Sequence, residues 1–292
     1  MKRLIVNADD FGLTPGVNQA IINGHDGGLV SSASLLANGE AFASAVALAS
    51  QVPRLGVGVH LNLTEGLSVS PPGVVPSLVN RQGRFARPPG ALWRALVLGR
   101  VSAAEVEKEL RAQIEKVLAA GIAVTHLDSH KHVHALPRLG RMTLRLARAY
   151  GIPSVRRVAE HWSALGSLRR RFPYAQSPLF RQFLNSRILA LLSLGWSRSF
   201  RRAGVASTEY FFGVTPTGFL DDQLLREILG HLPAGTSELM CHPGYVDEAL
   251  RRTPTRLLEQ REMEYRALTQ PGIKHWAEGM GIELIHYGDL AA

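Results

Sequence analysis

Cysteine is almost missing from this chain: a single residue, Cys241, stands in 292, so no intramolecular disulfide can form and the composition suits a reducing compartment. Long apolar runs are also lacking. The most extended, ILALLSLGW at 188–196, falls far short of the ~20 residues that cross a bilayer, which excludes a transmembrane helix. The opening MKRLIVNADD meets two acids before it can form the hydrophobic stretch of a secretory signal, so a cytoplasmic protein is expected. Neither GxGxxG nor a Walker loop follows the first apolar run, which removes the usual nucleotide fingerprints. Acidic residues and lysine are absent from 161–208, where eight arginines stand: Arg169, Arg170, Arg171, Arg181, Arg187, Arg198, Arg201 and Arg202. That segment nearly accounts for the formal net charge of +9. The positive charge is therefore local, and with few aromatics between the bases it does not describe a nucleic-acid-binding surface.

A hydrophobic content of 46% and a mean hydropathy of +0.02 allow a large core, in one barrel-sized domain or two smaller ones. Short β-branched runs alternate with helix-patterned stretches, the mark of parallel βα units. A strand at 4–7 precedes Thr14-Pro15, an N-cap with proline at the first helical position, and Gly27-Gly28 closes the helix. Strands follow at 30–36 and 55–60, with a helix at 40–51 between them. Residues 67–90 are rich in Pro and Gly and read as a long loop of the kind that borders a site. Ser102 and Glu105 form a capping box for a helix whose apolar face is Val106, Leu110, Ile114 and Val117. Further strands are expected at 122–128, 153–156, 210–214, 237–241 and 282–287, with helices at 137–150, 221–231 and 256–269. About seven strands with helices between them close most naturally into a TIM-like (β/α) barrel, with an open doubly wound sheet as the alternative.

Chemistry-bearing residues cluster at the strand ends. Asp9 and Asp10 follow the first strand, and His60 ends the third. His126, Asp128, His130, His132 and His134 lie in THLDSHKHVH, Arg156 ends another strand, and His242 follows SELMC. In a parallel βα fold these ends share one face, where active sites form. Alternation along an extended segment would put the four histidines and Asp128 on one side, some as metal ligands and others supporting them or touching substrate. A carboxylate, imidazoles and open water positions suit Zn²⁺ or another first-row ion, and Mg²⁺ less readily. If one acid of the Asp9-Asp10 pair binds the ion, the other can take a proton from the attacking water. By the same alternation Cys241 faces away from the mouth when His242 faces it, so Cys241 reads as a small buried hydrophobe and His242 as an acid for a leaving group.

NADDFG, GVHLNLTEG, THLDSHKHVH and ELMCHPGY occur in order over nearly the whole chain and resemble the four motifs of the YdjC-like carbohydrate deacetylases. The resemblance implies an irregular (β/α) barrel related to NodB-like polysaccharide deacetylases, one divalent metal ion (Zn or Mg), and removal of acetyl groups from N-acetylated amino sugars such as chitooligosaccharides. It implies Asp10, His60 and His130 as metal ligands, Asp9 as general base and His242 as general acid. His126, His132 and His134 become supporting or substrate-contacting groups, and Arg156 a holder of the base or of the substrate. In the implied reaction Asp9 takes a proton from water, a tetrahedral oxyanion forms, and His242 protonates the departing amine.

A single domain over 1–292 is expected, with a basic helical insertion at about 161–208 that departs from the compact chitooligosaccharide-type members. Within it Leu179, Phe180, Phe183, Leu184, Ile188, Leu191 and Leu192 recur at helical spacing, with Arg181, Gln182, Asn185 and Ser186 opposite. Such a helix could be a lid, a homodimer contact, or a membrane-surface element admitting a lipid-linked acetylamino sugar, as in the hopanoid-associated branch that the sequence also resembles. Two other functions fit parts of the pattern: a metal-dependent phosphoesterase, and a non-catalytic basic membrane- or nucleic-acid-binding protein. The intact Asp9, Asp10, His60, His130 and His242 argue against lost catalysis.

Overall fold

The computed structural model describes residues 1–160, 165–193 and 196–291, without the side chains at 165, 196–198, 201 and 291. The part of the expected insertion at 161–164 and 194–195, and the side chains of Arg198 and Arg201, therefore lie outside the described residues.

The strands are β1 (Lys2–Phe11), β2 (Ser32–Leu35), β3 (Gly56–Leu61), β4 (Val124–Ser129), β5 (Ser154–Val155), β6 (Tyr210–Phe212), β7 (Gly235–Cys241) and β8 (Ile282–Leu284). They form one parallel sheet, eight strands rather than about seven, in the order β5, β4, β3, β2, β1, β7, β6. The short β8 lies beside Lys2, Arg3 and Leu4 of β1. Among the described residues the two edges meet through isolated parallel bridges, Ser154 with Ala206 and Glu160 with Phe211. The curled sheet is thus the expected irregular barrel, closed by single bridges instead of a ladder.

Helices α1 (Pro15–Gly27), α2 (Phe42–Ala49) and α5 (Pro137–Ala149) each join two successive strands among the first five, and α3 (Pro89–Val97) and α4 (Ala103–Ala119) both lie between β3 and β4. Helices α6 (Leu165–Arg171), α7 (Gln176–Leu192) and α8 (Trp196–Ala203) stand between β5 and β6. Helices α9 (Asp222–Gly230), α10 (Glu248–Arg252), α11 (Glu259–Leu268) and α12 (Ile273–Gly279) complete the set. Thr14 Oγ1 accepts from Val17 N at 3.2 Å, the cap that its position before Pro15 predicts. Val106, Leu110, Ile114 and Val117 of α4 are buried in the main core, as their spacing requires. The capping box is only half made. Ser102 Oγ accepts from Glu105 N, but the Glu105 carboxylate accepts from Ser77 N at 2.7 Å, tying the 67–90 loop to the helix start.

Helix α7 departs from the expected two-faced pattern at one residue of its polar side. Ser186, expected on the polar face opposite the apolar residues, is buried and bonded to Thr215, while Phe180, Leu184, Ile188 and Leu191 are exposed together with Arg181 and Asn185. The outward surface of this helix thus carries an apolar stripe flanked by Arg181 and Asn185.

Two register shifts position the site. The β1 pairing with β2 runs from Asn7–Ser32 and Ala8–Ala33 to Phe11–Leu35, so one extra residue sits in β1 at Asp9-Asp10. Asp10 takes the left-handed conformation, with φ 68°. A regular strand would send two adjacent side chains to opposite faces; this bulge turns both toward the barrel mouth. The pair therefore lies inside the end of β1 rather than after it. A second shift, between Val57–Val124 and Val59–Leu127, sets His60 opposite Asp128.

Candidate active site

Asp9, Asp10, His60, His130, His132 and His242 line one open cavity of about 760 Å³ at the barrel mouth. His60 Nε2 lies 3.7 Å from Asp10 Oδ1, and His130 Nδ1 lies 3.2 Å from the same oxygen. Each of the three groups is held from behind. His60 Nδ1 is 2.8 Å from Asp128 Oδ1, Arg261 Nη2 donates to Asp10 Oδ2 at 2.6 Å, and His130 Nε2 is 3.0 Å from Glu65 Oε2. Asp10 Oδ1 is buried yet makes no directed hydrogen bond. One carboxylate oxygen and two imidazole nitrogens, all within 4.8 Å of one another, form a donor set suited to a divalent first-row ion. A second group of possible ligands, Asp9, His60 and Asp128, is less free, because Arg156 occupies both acids.

The electrostatics follow from burial and pairing. For His60, burial favours the neutral form, but the carboxylates of Asp128 and Asp9 outweigh it and raise the pKa. For His130, burial is overcome by Asp10 and Glu65, which push it up to about 9. Burial would likewise raise Asp9 and Asp10, yet Arg156 and His60 on the former and Arg261 and His130 on the latter hold both below the usual carboxylate range. His242 is pushed down to about 4, chiefly by burial. Its backbone N donates to Glu264 Oε2 at 2.6 Å, and burial raises that carboxyl to about 7.

Under the cavity floor lies a polar core that sequence reasoning did not assemble. Arg156 is fully buried; it donates to Asp9 at 2.9 and 2.7 Å and to Glu238 Oε1 at 2.8 Å, and reaches Asp128 Oδ2 at 2.6 Å. Ser34 Oγ donates to Asp128 Oδ2 at 2.8 Å and accepts from Asn7 Nδ2, which also donates to Asp9. Tyr287 donates to Glu238, a carboxyl that burial raises to about 7 against the pull of Arg156.

Three expectations are corrected here. Of the two roles expected for Arg156, holder of the base or of the substrate, the first stands and the second falls: its guanidinium grips Asp9, Asp128 and Glu238 and has no place on the cavity wall. His134 was expected at the substrate as well, yet it is buried with Nδ1 2.6 Å from Ser129 Oγ, facing a small apolar cleft. The shared face of the histidine cluster ends with β4, because Lys131 and His132 take left-handed conformations, φ 53° and 54°, and the chain turns away. His126 also lies away from the cavity. It is stacked on Tyr287 at 4.0 Å with Nε2 3.1 Å from Ser34 Oγ, and burial lowers it to about 3. Cys241 is buried as expected, its Sγ donating to Asn7 O. Of the unforeseen groups, Glu238 carried a signal, an acid within a buried strand, and Glu65 stood in a quoted motif. Arg261 carried none.

A sequence profile of the family described as YdjC-like protein matches residues 3–279. A carbohydrate deacetylase of Brevibacillus brevis is 36% identical over 99% of each chain, and a chitooligosaccharide deacetylase of Serratia marcescens is 33% identical over 99% of each. A crystal structure from Enterococcus faecalis, named as a candidate cellobiose-phosphate cleavage protein, superposes with a TM-score of 0.77 at 28% identity, covering 100% of this chain and 99% of that one.

Proposed function

The chain belongs to the YdjC-like family, and from that premise we propose that it removes the acetyl group from an N-acetylated amino sugar, releasing acetate, with one divalent metal ion held by Asp10, His60 and His130. The observation that carries this reading is the pair of adjacent acids with different partners. Asp10 presents a free Oδ1 toward two imidazoles, while both oxygens of Asp9 are tied to Arg156 beside them. A bound zinc or magnesium ion would supply Lewis acidity to the acetamide carbonyl and make water more acidic.

The chain supplies the proton traffic. Asp9, kept ionised by Arg156, takes the proton of the attacking water. A carboxyl with a lowered pKa gives that proton up again readily, and His242, neutral at pH 7, is the acceptor. His242 then protonates the departing amine, without which C–N cleavage would expel an amide anion. His132, on the cavity wall, is left to contact the sugar. Zinc-loaded protein incubated with N,N′-diacetylchitobiose is expected to release acetate. Phosphate release from a sugar phosphate without any acetate release would instead favour the phosphoesterase reading.

We further propose that the exposed face of α7 rests on an anionic lipid surface, bringing the cavity to a lipid-linked acetylamino sugar. Phe180, Leu184, Ile188 and Leu191 form an outward apolar stripe, and Ile188 continues onto the cavity wall beside Leu189 and Leu192. The surrounding 161–208 segment is all arginine in its charge, which opposes pairing with a second copy and favours anionic headgroups. Flotation with phosphatidylglycerol vesicles is expected for the wild type and lost when Phe180, Leu184 and Leu191 become serine. Equal flotation of both proteins refutes the docking surface. No helix among the described residues is long and apolar enough to cross a membrane.

A further inference from the structure

His130 differs from the other two groups that face Asp10 Oδ1. His60 sits within β3, paired with Asp128 of β4, and Asp10 belongs to β1. His130 comes after the last residue of β4 and immediately before two non-glycine residues in left-handed conformations, Lys131 and His132. Such a turn costs energy and persists only where its surroundings hold it. With a side chain 17% exposed, against 1% for His60 and 4% for Asp10, the imidazole of His130 also has the most room to rotate.

What holds it is Glu65. Its Oε2 lies 3.0 Å from His130 Nε2, and its Oε1 takes Lys131 Nζ, so one carboxylate grips both sides of the start of the turn. The loop presenting Glu65 is built to be stiff. Asn62 Oδ1 accepts from Thr64 N at 3.0 Å and Glu65 N at 3.2 Å, and the side chains of Asn62 and Asn38 donate to Glu65 O at 2.9 and 3.0 Å. Gln113 of α4 closes the base, accepting from Asn62 N at 2.8 Å and donating to Asn62 O at 2.7 Å.

A carboxylate bonded to one ring nitrogen fixes the proton there and leaves the other nitrogen's lone pair for a metal. We propose that Glu65 is the positioning residue that makes His130 a ligand through Nδ1, with Nε2–H donated to Glu65. The inference rests on the metal-binding reading of the site and adds the nitrogen used and the residue that selects it. Glu65 itself is no ligand in this arrangement, since its carboxylate meets the ring edge away from Asp10.

The test is zinc affinity, measured by competition with a chromophoric chelator, for the wild type, Glu65→Ala, Glu65→Gln and Lys131→Met. Glu65→Ala is expected to weaken zinc binding by roughly 10–100-fold while the metal-free protein stays folded. Glu65→Gln, whose amide oxygen can still accept Nε2–H, should recover much of that loss, and Lys131→Met should bind like the wild type. Long-range ¹H–¹⁵N correlation on zinc-loaded protein with ¹⁵N-labelled histidine should show His130 protonated at Nε2 and metal-shifted at Nδ1. A metal shift at Nε2, or wild-type zinc affinity in Glu65→Ala, overturns the proposal while leaving the metal site standing. Wild-type protein that binds no zinc overturns both.

Discussion

Replacing Arg156 with methionine keeps most of the volume of a fully buried side chain and deletes the one cation that Asp9, Asp128 and Glu238 share. Glu238, already raised to about 7, can take up a proton at little cost, so the penalty falls on the two aspartates. Asp128 keeps His60 and Ser34, whereas Asp9 keeps Asn7 and the more distant His60 Nε2 at 3.9 Å. Removing one partner of a buried ion pair costs ~3–5 kcal/mol, a large part of the ~5–15 kcal/mol that holds a typical domain. Urea unfolding at pH 7 should therefore show that loss at constant slope. The loss should also shrink between pH 7 and pH 5. In the wild type Asp9 has a lowered pKa, so its contribution is present above the unfolded value near 3.8 and is lost only as pH falls through the lower folded value. In the variant, burial without Arg156 raises Asp9, which protonates within that window and relieves the uncompensated charge. A loss below about 1 kcal/mol, the range of an exposed pair, or one equal at both pH values, would refute the role given to Arg156.

Two further outcomes follow from the geometry. A Cβ on Gly58 would stand 2.4 to 2.5 Å from three ring atoms of His126, so Gly58→Ala should destabilise by ~1–3 kcal/mol and be largely rescued by His126→Ala, as a chemical-denaturation double-mutant cycle would show. An ion entering the site must displace a proton from His130, whose pKa is pushed up to about 9, so zinc affinity by chelator competition should rise roughly tenfold per pH unit toward that value. Affinity flat between pH 6 and pH 8 would contradict this.

Where local pattern and tertiary packing agree, the sequence was legible. The spacing of Val106, Leu110, Ile114 and Val117 marks α4 because one face of a helix must be apolar to pack, and Thr14-Pro15 marks the start of α1 through backbone geometry alone. The same period-two rule misled at the site. It put His134 beside His130, but the strand stops at Ser129 and the left-handed pair 131–132 turns the chain. It could not bring Asp9 and Asp10 to one mouth, which takes an inserted residue and a positive φ. Partners distant in sequence were the least visible. Arg261 reaches Asp10 across 251 residues, and only the closing of the barrel brings them together. Helix α7 was legible as a helix and not in its orientation, since Ser186 turns inward toward Thr215 and Glu160, a pairing no helical wheel contains.

The division of labour between the two adjacent acids is tested most directly by carrying Asp9→Asn and Asp10→Asn through one pair of assays, bound zinc after dialysis and acetate release from N,N′-diacetylchitobiose. Asp9→Asn is expected to retain zinc and lose acetate release by about 10²–10⁴-fold, the contribution of a general base. Asp10→Asn is expected to lose both. Zinc lost from Asp9→Asn and kept by Asp10→Asn, or acetate release unchanged in Asp9→Asn, would contradict the account.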